Sequence, residues 1–198
     1  MGAPGHLVDA LTRAFVAVPC GEPLAGELSR RLDALPGPAP VRWTHPATWH
    51  LTLQFLGDWP ADRLAALQTS LSGLDGPAPF RLAPAGLGGF PDLRRPRVLF
   101  LQFAGAEPLR ELAAEVHRHT ARAWADGPQD TRPIHPHLTL ARVREPLPDE
   151  QVKRLRDIAL DDLPELSCGG FSLMASTLGP GGARHRELAG YALRKKGE

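Results

Sequence analysis

Apolar and polar positions along the 198-residue chain change period several times, and each change marks an element. Residues 12–18 (TRAFVAV) are apolar almost throughout, stop at Pro19, and predict a buried strand. Residues 22–35 carry apolar positions at helical spacing and end before Pro36. A Pro/Gly loop follows, then a short extended piece over Val41–Trp43. Residues 50–56 predict a strand closed by Gly57, and residues 61–74 an amphipathic helix. Strands are expected at 80–87 and 98–103, and the longest helix at 107–125, with Leu109, Leu112, Val116 and Trp124 near one face. A proline-rich loop (RPIHPH) leads into a strand at 137–143. Residues 149–160 predict a helix, and 167–176 and 187–193 closing strands. This order argues for an α+β fold in one domain spanning residues 1–198, with helices packed on sheets.

Within that pattern one tetrapeptide occurs twice. His50-Leu51-Thr52-Leu53 and His137-Leu138-Thr139-Leu140 both fall on predicted strands. Side chains alternate faces along a strand. Each copy therefore buries two leucines and presents an imidazole and a hydroxyl on the opposite face. Each half of the chain also carries a helix, so the whole reads as a pseudo-duplication. Two such strands side by side would surround one cleft with two imidazoles and two hydroxyls. Strict alternation turns Arg142 away from the face of Thr139, although twist at a strand end leaves its direction open.

Composition narrows the setting. Hydrophobic residues make up 42% and charged residues 23%, ordinary for a globular domain. The net charge of +1 provides no global field for nucleic acid, so any polyanion contact must be local. Two cysteines, Cys20 and Cys168, make neither a zinc motif nor a disulfide framework, and a cytoplasmic location is the simplest expectation. No signal peptide or membrane span is expected from the pattern.

Two histidines facing one cleft suit phosphoester chemistry. A cyclic ester needs a base for the attacking water, an acid for the leaving oxygen, and donors for the non-bridging oxygens. Imidazoles titrate near neutrality and threonine hydroxyls donate hydrogen bonds. The scheme needs no metal and no cofactor. Other features are weighed against blander readings. Arg142 and then Arg144 are phosphate-binding candidates. Arg94, Arg95 and Arg97 read as a solvated loop before a nucleic-acid backbone contact. Phe15 suits the core better than a base-stacking platform. His135 lacks carboxylate or thiol partners for a metal pair, and His117 and His119 read as surface residues on the long helix.

The chain resembles the 2H phosphoesterase superfamily, and within it the bacterial RNA 2′,3′-cyclic phosphodiesterases once called 2′-5′ RNA ligases. The resemblance rests on the two H-x-[ST]-x motifs, on R-x-F-V-A-[IV]-P at residues 13–19, and on W-x-x-x-x-x-W-H-L-T-L-x-F-L-G at 43–57. It also rests on G-x-G-x-F-P-x-x-R-R-P-R-V-L at 86–99 and R-P-x-x-P-H-L-T-L-A-R at 132–142. It implies a two-lobed fold with concave antiparallel sheets and helices outside. It implies metal-independent hydrolysis of RNA 2′,3′-cyclic phosphate ends to 2′-phosphomonoesters, with 2′-5′ joining in reverse. His50 would be general acid and His137 general base, although the sequence does not separate the two roles. Thr52, Thr139 and Arg142 would hold the phosphate, and Phe15 would stack a base. Relatives often carry an aromatic in P-G-G-x-x-Y; here Pro180 to His185 places His185 in that slot, a departure that makes it a substrate-contact candidate. Expected partners are RNA with cyclic phosphate ends or small cyclic nucleotides, met by a monomer. ADP-ribose cyclic phosphate is another substrate, and a non-catalytic RNA-end binder another class.

Overall fold

The computed structural model describes residues 11–33, 41–127, 134–160, 162–179 and 182–194. The N-terminal stretch of residues 1–10, where no leader is expected, the Pro/Gly loop after the first helix, Arg132 and Pro133 of the proline-rich loop, and Pro180 and Gly181 lie outside them.

Nine strands and four α-helices are present among the described residues, in the order β1 (Leu11–Pro19), α1 (Leu24–Asp33), β2 (Val41–Trp43), β3 (His50–Pro60), α2 (Leu64–Ser72), β4 (Phe80–Phe90), β5 (Val98–Ala104), α3 (Glu107–Ala123), β6 (His137–Val143), α4 (Asp149–Arg156), β7 (Leu166–Cys168), β8 (Gly170–Gly179) and β9 (Gly182–Ala192). The element order expected from periodicity holds. Several boundaries differ. β3 and β4 run on through glycines, Gly57 at φ 68° and Gly86 at φ 123°, conformations that cost glycine little. The expected strand at 167–176 is two strands, and β9 starts five residues before the expected 187.

The strands form one antiparallel sheet in the order β7-β4-β5-β6-β3-β1-β8-β9, with β2 paired to β6. Five strands separate β7 from β8 in that order, yet only Gly169 separates them in the chain. Two residue steps span at most about 7 Å. The sheet must therefore curl strongly, bringing distant strands together in a half-barrel. At this joint Leu193 N donates to Gly169 O at 2.9 Å, carrying the β8–β9 pairing one residue further.

One face of the curl is apolar. Ala14, Val16, Val18, Leu51, Leu53, Leu101, Leu138 and Leu140 pack there against Leu24 and Leu28 of α1, Leu67 and Leu71 of α2, and Leu109, Leu112 and Val116 of α3. A smaller cluster of Leu99, Ala141 and Val143 takes Val152 and Leu155 of α4. The buried cysteines lie in the larger core, where burial pushes both thiols up to about 12. His119 corrects its sequence reading: it is buried, with Nδ1 2.6 Å from Ser70 O of α2. The concave face carries the polar positions. Among the described residues no helix is long and apolar enough to cross a membrane.

Candidate active site

The two motif strands are neighbours, and their register pairs Leu51 with Leu138. Those leucines hold the same place in the two motifs. In an antiparallel pair this register sets His50 across from Thr139 and Thr52 across from His137. The arrangement is thus two-fold about the leucine pair, with all four polar side chains on the concave face.

Each histidine is fixed by its own strand entry. His50 Nδ1 lies 2.7 Å from Thr48 O, and His137 Nδ1 lies 2.6 Å from His135 O. A carbonyl only accepts, so each Nδ1 carries the proton in the neutral ring and each Nε2 is left for the cleft. Burial is the largest cause holding the His50 imidazole below its ordinary value near 6.5, with smaller opposition from positive charge on His185 and His137. Burial also lowers His137, with His135 adding to it.

Around His50 the cleft is lined by Phe15, 4.9 Å away between ring centroids, and His185, 5.4 Å away at 88°. Around His137 it is lined by Phe90 at 5.2 Å and Phe100 at 5.4 Å, with His135 at 6.2 Å. Phe15 is 3% exposed, yet it is a cleft residue: it stands on the concave face while Val16 and Val18 serve the core. Phe100 occupies space beside its β4 partner Gly88 that a side chain there would take: a Cβ on Gly88 would come within 2.4 Å of the ring.

Both motifs end in the same irregularity. Along β1 and β3 the pairing steps from Ala17↔Thr52 to Val16↔Gln54, skipping Leu53. Along β5 and β6 it steps from Phe100↔Thr139 to Leu99↔Ala141, skipping Leu140. A bulge inserts one extra residue and inverts the alternation beyond it. The direction of Arg142, open from alternation alone, is set by this bulge: Arg142 returns to the concave face beside Val98. In the first motif the same bulge brings Phe55 to that face opposite Phe15. Phe55 is 59% exposed, and its ring centroid lies 6.2 Å from that of Phe15. Sequence reasoning missed it; an aromatic two residues past a repeated motif was the available signal.

Side chains outside the motifs hold the bulges. Gln54, buried, accepts from Thr120 Oγ1 of α3 at 2.8 Å. Thr44 Oγ1 lies 2.8 Å from Leu140 O and accepts from Trp49 Nε1 at 2.8 Å, so one hydroxyl links the residue before His50 to the bulge after His137. Arg42 of β2 pairs in register with Arg142 and shares its face. Arg94 and Arg95 sit at the exposed β4–β5 turn, where their N–H groups bind Asp92 Oδ1 at 2.7 and 3.1 Å and hold its carboxyl below the ordinary range. That turn borders the cleft at Phe90 but does not enter it. Arg144 is exposed beyond the last paired residues of β6.

A family model described as LigT like phosphoesterase matches residues 18–100 and 103–185, and each stretch holds one motif. An RNA 2′,3′-cyclic phosphodiesterase of Thermus thermophilus is 35% identical over 156 residues, which is 75% of this chain and 74% of the relative. One of Archaeoglobus fulgidus is 28% identical over 176 residues, 89% of this chain and 97% of the relative. Among solved structures, a Thermus thermophilus protein superposes with a TM-score of 0.78 at 29% identity, over 93% of this chain and 99% of that one. Escherichia coli LigT complexed with 3′-AMP superposes with a TM-score of 0.72 at 25% identity, over 93% and 99% of the two chains.

Proposed function

The chain belongs to the LigT-like phosphoesterase family, and from that membership we propose that it hydrolyses RNA 2′,3′-cyclic phosphate ends to 2′-phosphomonoesters by two-histidine acid–base catalysis. The observation that carries the reading is the pair of Nδ1–carbonyl hydrogen bonds, which leave two Nε2 atoms facing one cleft from opposite sides of the Leu51–Leu138 pair.

In this reading His137 takes a proton from water, whose oxygen attacks phosphorus. The P–O3′ bond breaks, and His50 gives its proton to O3′. The product keeps phosphate on O2′ and gains a 3′-hydroxyl. Thr52 and Thr139 donate to the non-bridging oxygens, and the Arg142 guanidinium offsets their charge. Phe55 supplies a face for the base, with Phe15 beneath it. With a 5′-hydroxyl attacking phosphorus in place of water and the same P–O3′ bond breaking, the same groups would join 2′-5′ ends, and the reverse of that step would cleave them.

The experiment is turnover of a 2′,3′-cyclic nucleotide and of a short RNA ending in the cyclic phosphate, with the phosphate position resolved by mass or nuclear magnetic resonance. Hydrolysis to the 2′-phosphate is expected, undiminished by EDTA, and lost in His50→Ala and in His137→Ala with the fold intact. Near wild-type turnover in either variant overturns the paired mechanism. RNA binding without any product marks an end-binding protein instead, and activity confined to ADP-ribose cyclic phosphate changes the substrate but keeps the chemistry.

A further inference from the structure

The reaction as proposed uses two imidazoles, yet the cleft holds a third pressed against one of them. His185 belongs to β9, three strands from β3 in the order β3-β1-β8-β9. At about 4.8 Å per strand, a flat sheet would hold their backbones roughly 14 Å apart. The curl folds β9 back until the His185 ring lies 5.4 Å from that of His50 at 88°. Phe15 stands 4.9 Å from each, tilted 34° to His50 and edge-on at 76° to His185. The three rings make a closed triangle in which each fixes the other two.

His185 Nδ1 is buried and has no hydrogen-bond partner among the described residues. A polar atom in that state is disfavoured unless it serves something besides the fold. We propose that His185 is a positioning residue that acts on the reaction through His50, holding that imidazole edge-on and coupling its protonation to a third ring. This rests on the reading of His50 as one of the two working histidines. An aromatic in the same slot would supply the edge contact alone; histidine adds a charge that comes and goes.

From β1 the facing neighbours Phe15 and Ala17 are uncharged, with Arg13 further along the same face; from β8, Met174 and Ser176 are uncharged. From β6, His137 adds a second, weaker opposition to a proton on His50, and Arg142 stands beyond the bulge. On β9 itself Glu187 shares the face of His185, but Ser172 Oγ donates to its Oε2 at 2.8 Å. From β2, Arg42 reaches the start of β9: its Nη2 lies 3.0 Å from where a Gly182 Cβ would stand. Burial lowers His185 as well as His50. Positive charge on His185, its ring 5.4 Å from that of His50, opposes a proton on His50, so its removal should ease protonation there.

The test is titration of the histidines by nuclear magnetic resonance in wild type, His185→Phe and His185→Gln, beside the pH dependence of kcat/KM for a 2′,3′-cyclic nucleotide. Phenylalanine keeps the ring contact without the charge, and glutamine keeps polarity without titration, so a fault in one variant's folding is covered by the other. In both, the His50 midpoint is expected to rise by about half a unit to one unit. The limb of the kcat/KM profile belonging to His50 moves up by the same amount, and His137 moves less. Unchanged His50 midpoints in both variants overturn the coupling. A shifted midpoint with an unmoved kcat/KM profile overturns the claim that His185 acts on the reaction. Titration needs no turnover, so a wild-type protein inert towards cyclic phosphates would sink the proposed reaction while the coupling was still decided.

Discussion

Phe55 and Arg142 stand in the same place in the two halves of the cleft. Each lies two residues beyond the last leucine of its motif, each follows a bulge, and each returns to the concave face there. A repeated backbone thus presents an aromatic face on one side and a guanidinium on the other. Phe55→Ala is expected to raise KM for a cyclic nucleotide about ten-fold, in line with the loss of one base stack, while kcat changes little. Because Phe55 is largely exposed, melting should shift hardly at all. Arg142→Ala should instead lower kcat/KM about a hundred-fold, with Arg142→Lys recovering only part, since a point charge does not reproduce a fork of donors. Steady-state kinetics of the three variants decides it, and a Phe55→Ala enzyme with wild-type KM removes Phe55 from the substrate site.

If His50 and His137 act in one step, their losses do not add. Each single alanine variant is expected to lose about 10²–10⁴ in kcat, and the double variant little more than the worse single. A double variant whose loss is the product of the singles means that the two rings serve separate steps.

The lowered cleft histidines also set pH behaviour. The proposed reaction needs one ring neutral and the other protonated, and burial holds both below the ordinary value near 6.5. The bell for kcat/KM should therefore peak on the acid side of 6.5, and that for kcat higher, because bound phosphate favours protonated imidazole. Stability follows the sign of proton uptake. The unfolded chain binds protons on these imidazoles before the folded one does, so their neutral-state stability is fully present above about 6.5 and is lost as pH falls from there through the lower folded midpoints. The melting temperature should drop across that range, and the drop should shrink in His50→Gln. A melting temperature flat from pH 7.5 to about 5 contradicts the burial argument.

Thr44 ties the two motifs together from outside the cleft. Thr44→Val leaves the Trp49 indole N–H without its acceptor and should cost about 1–3 kcal/mol in chemical unfolding. It should also lower kcat without changing the EDTA response. A variant with wild-type stability and kcat shows that the link is idle.

Much of this site was legible from residues alone. The repeated tetrapeptide named the histidines and threonines, and alternation placed them over buried leucines. Alternation also misled, because it has no term for an inserted residue. Arg142 was left without a direction and Phe55 passed over for the same reason. Nothing local marks the bulges; they are held by Gln54 reaching Thr120 of α3 and by Thr44 reaching Leu140, contacts that span tens of residues. His119 was misjudged in the same manner, since its partner lies on α2. The nearness of His185 to His50 depends on the curl of the whole sheet, which no window of sequence records.

The floor of the cleft meets at Leu51 and Leu138, one pair joining the two motif strands. That joint behaves as a pivot. A slip of one strand along the other by a single step, about 3.3 Å, would carry both histidines off their opposed threonines together, so neither half stays aligned while the other fails. The alignment of both histidine–threonine pairs thus hangs on one pair of hydrocarbon side chains packed in the core.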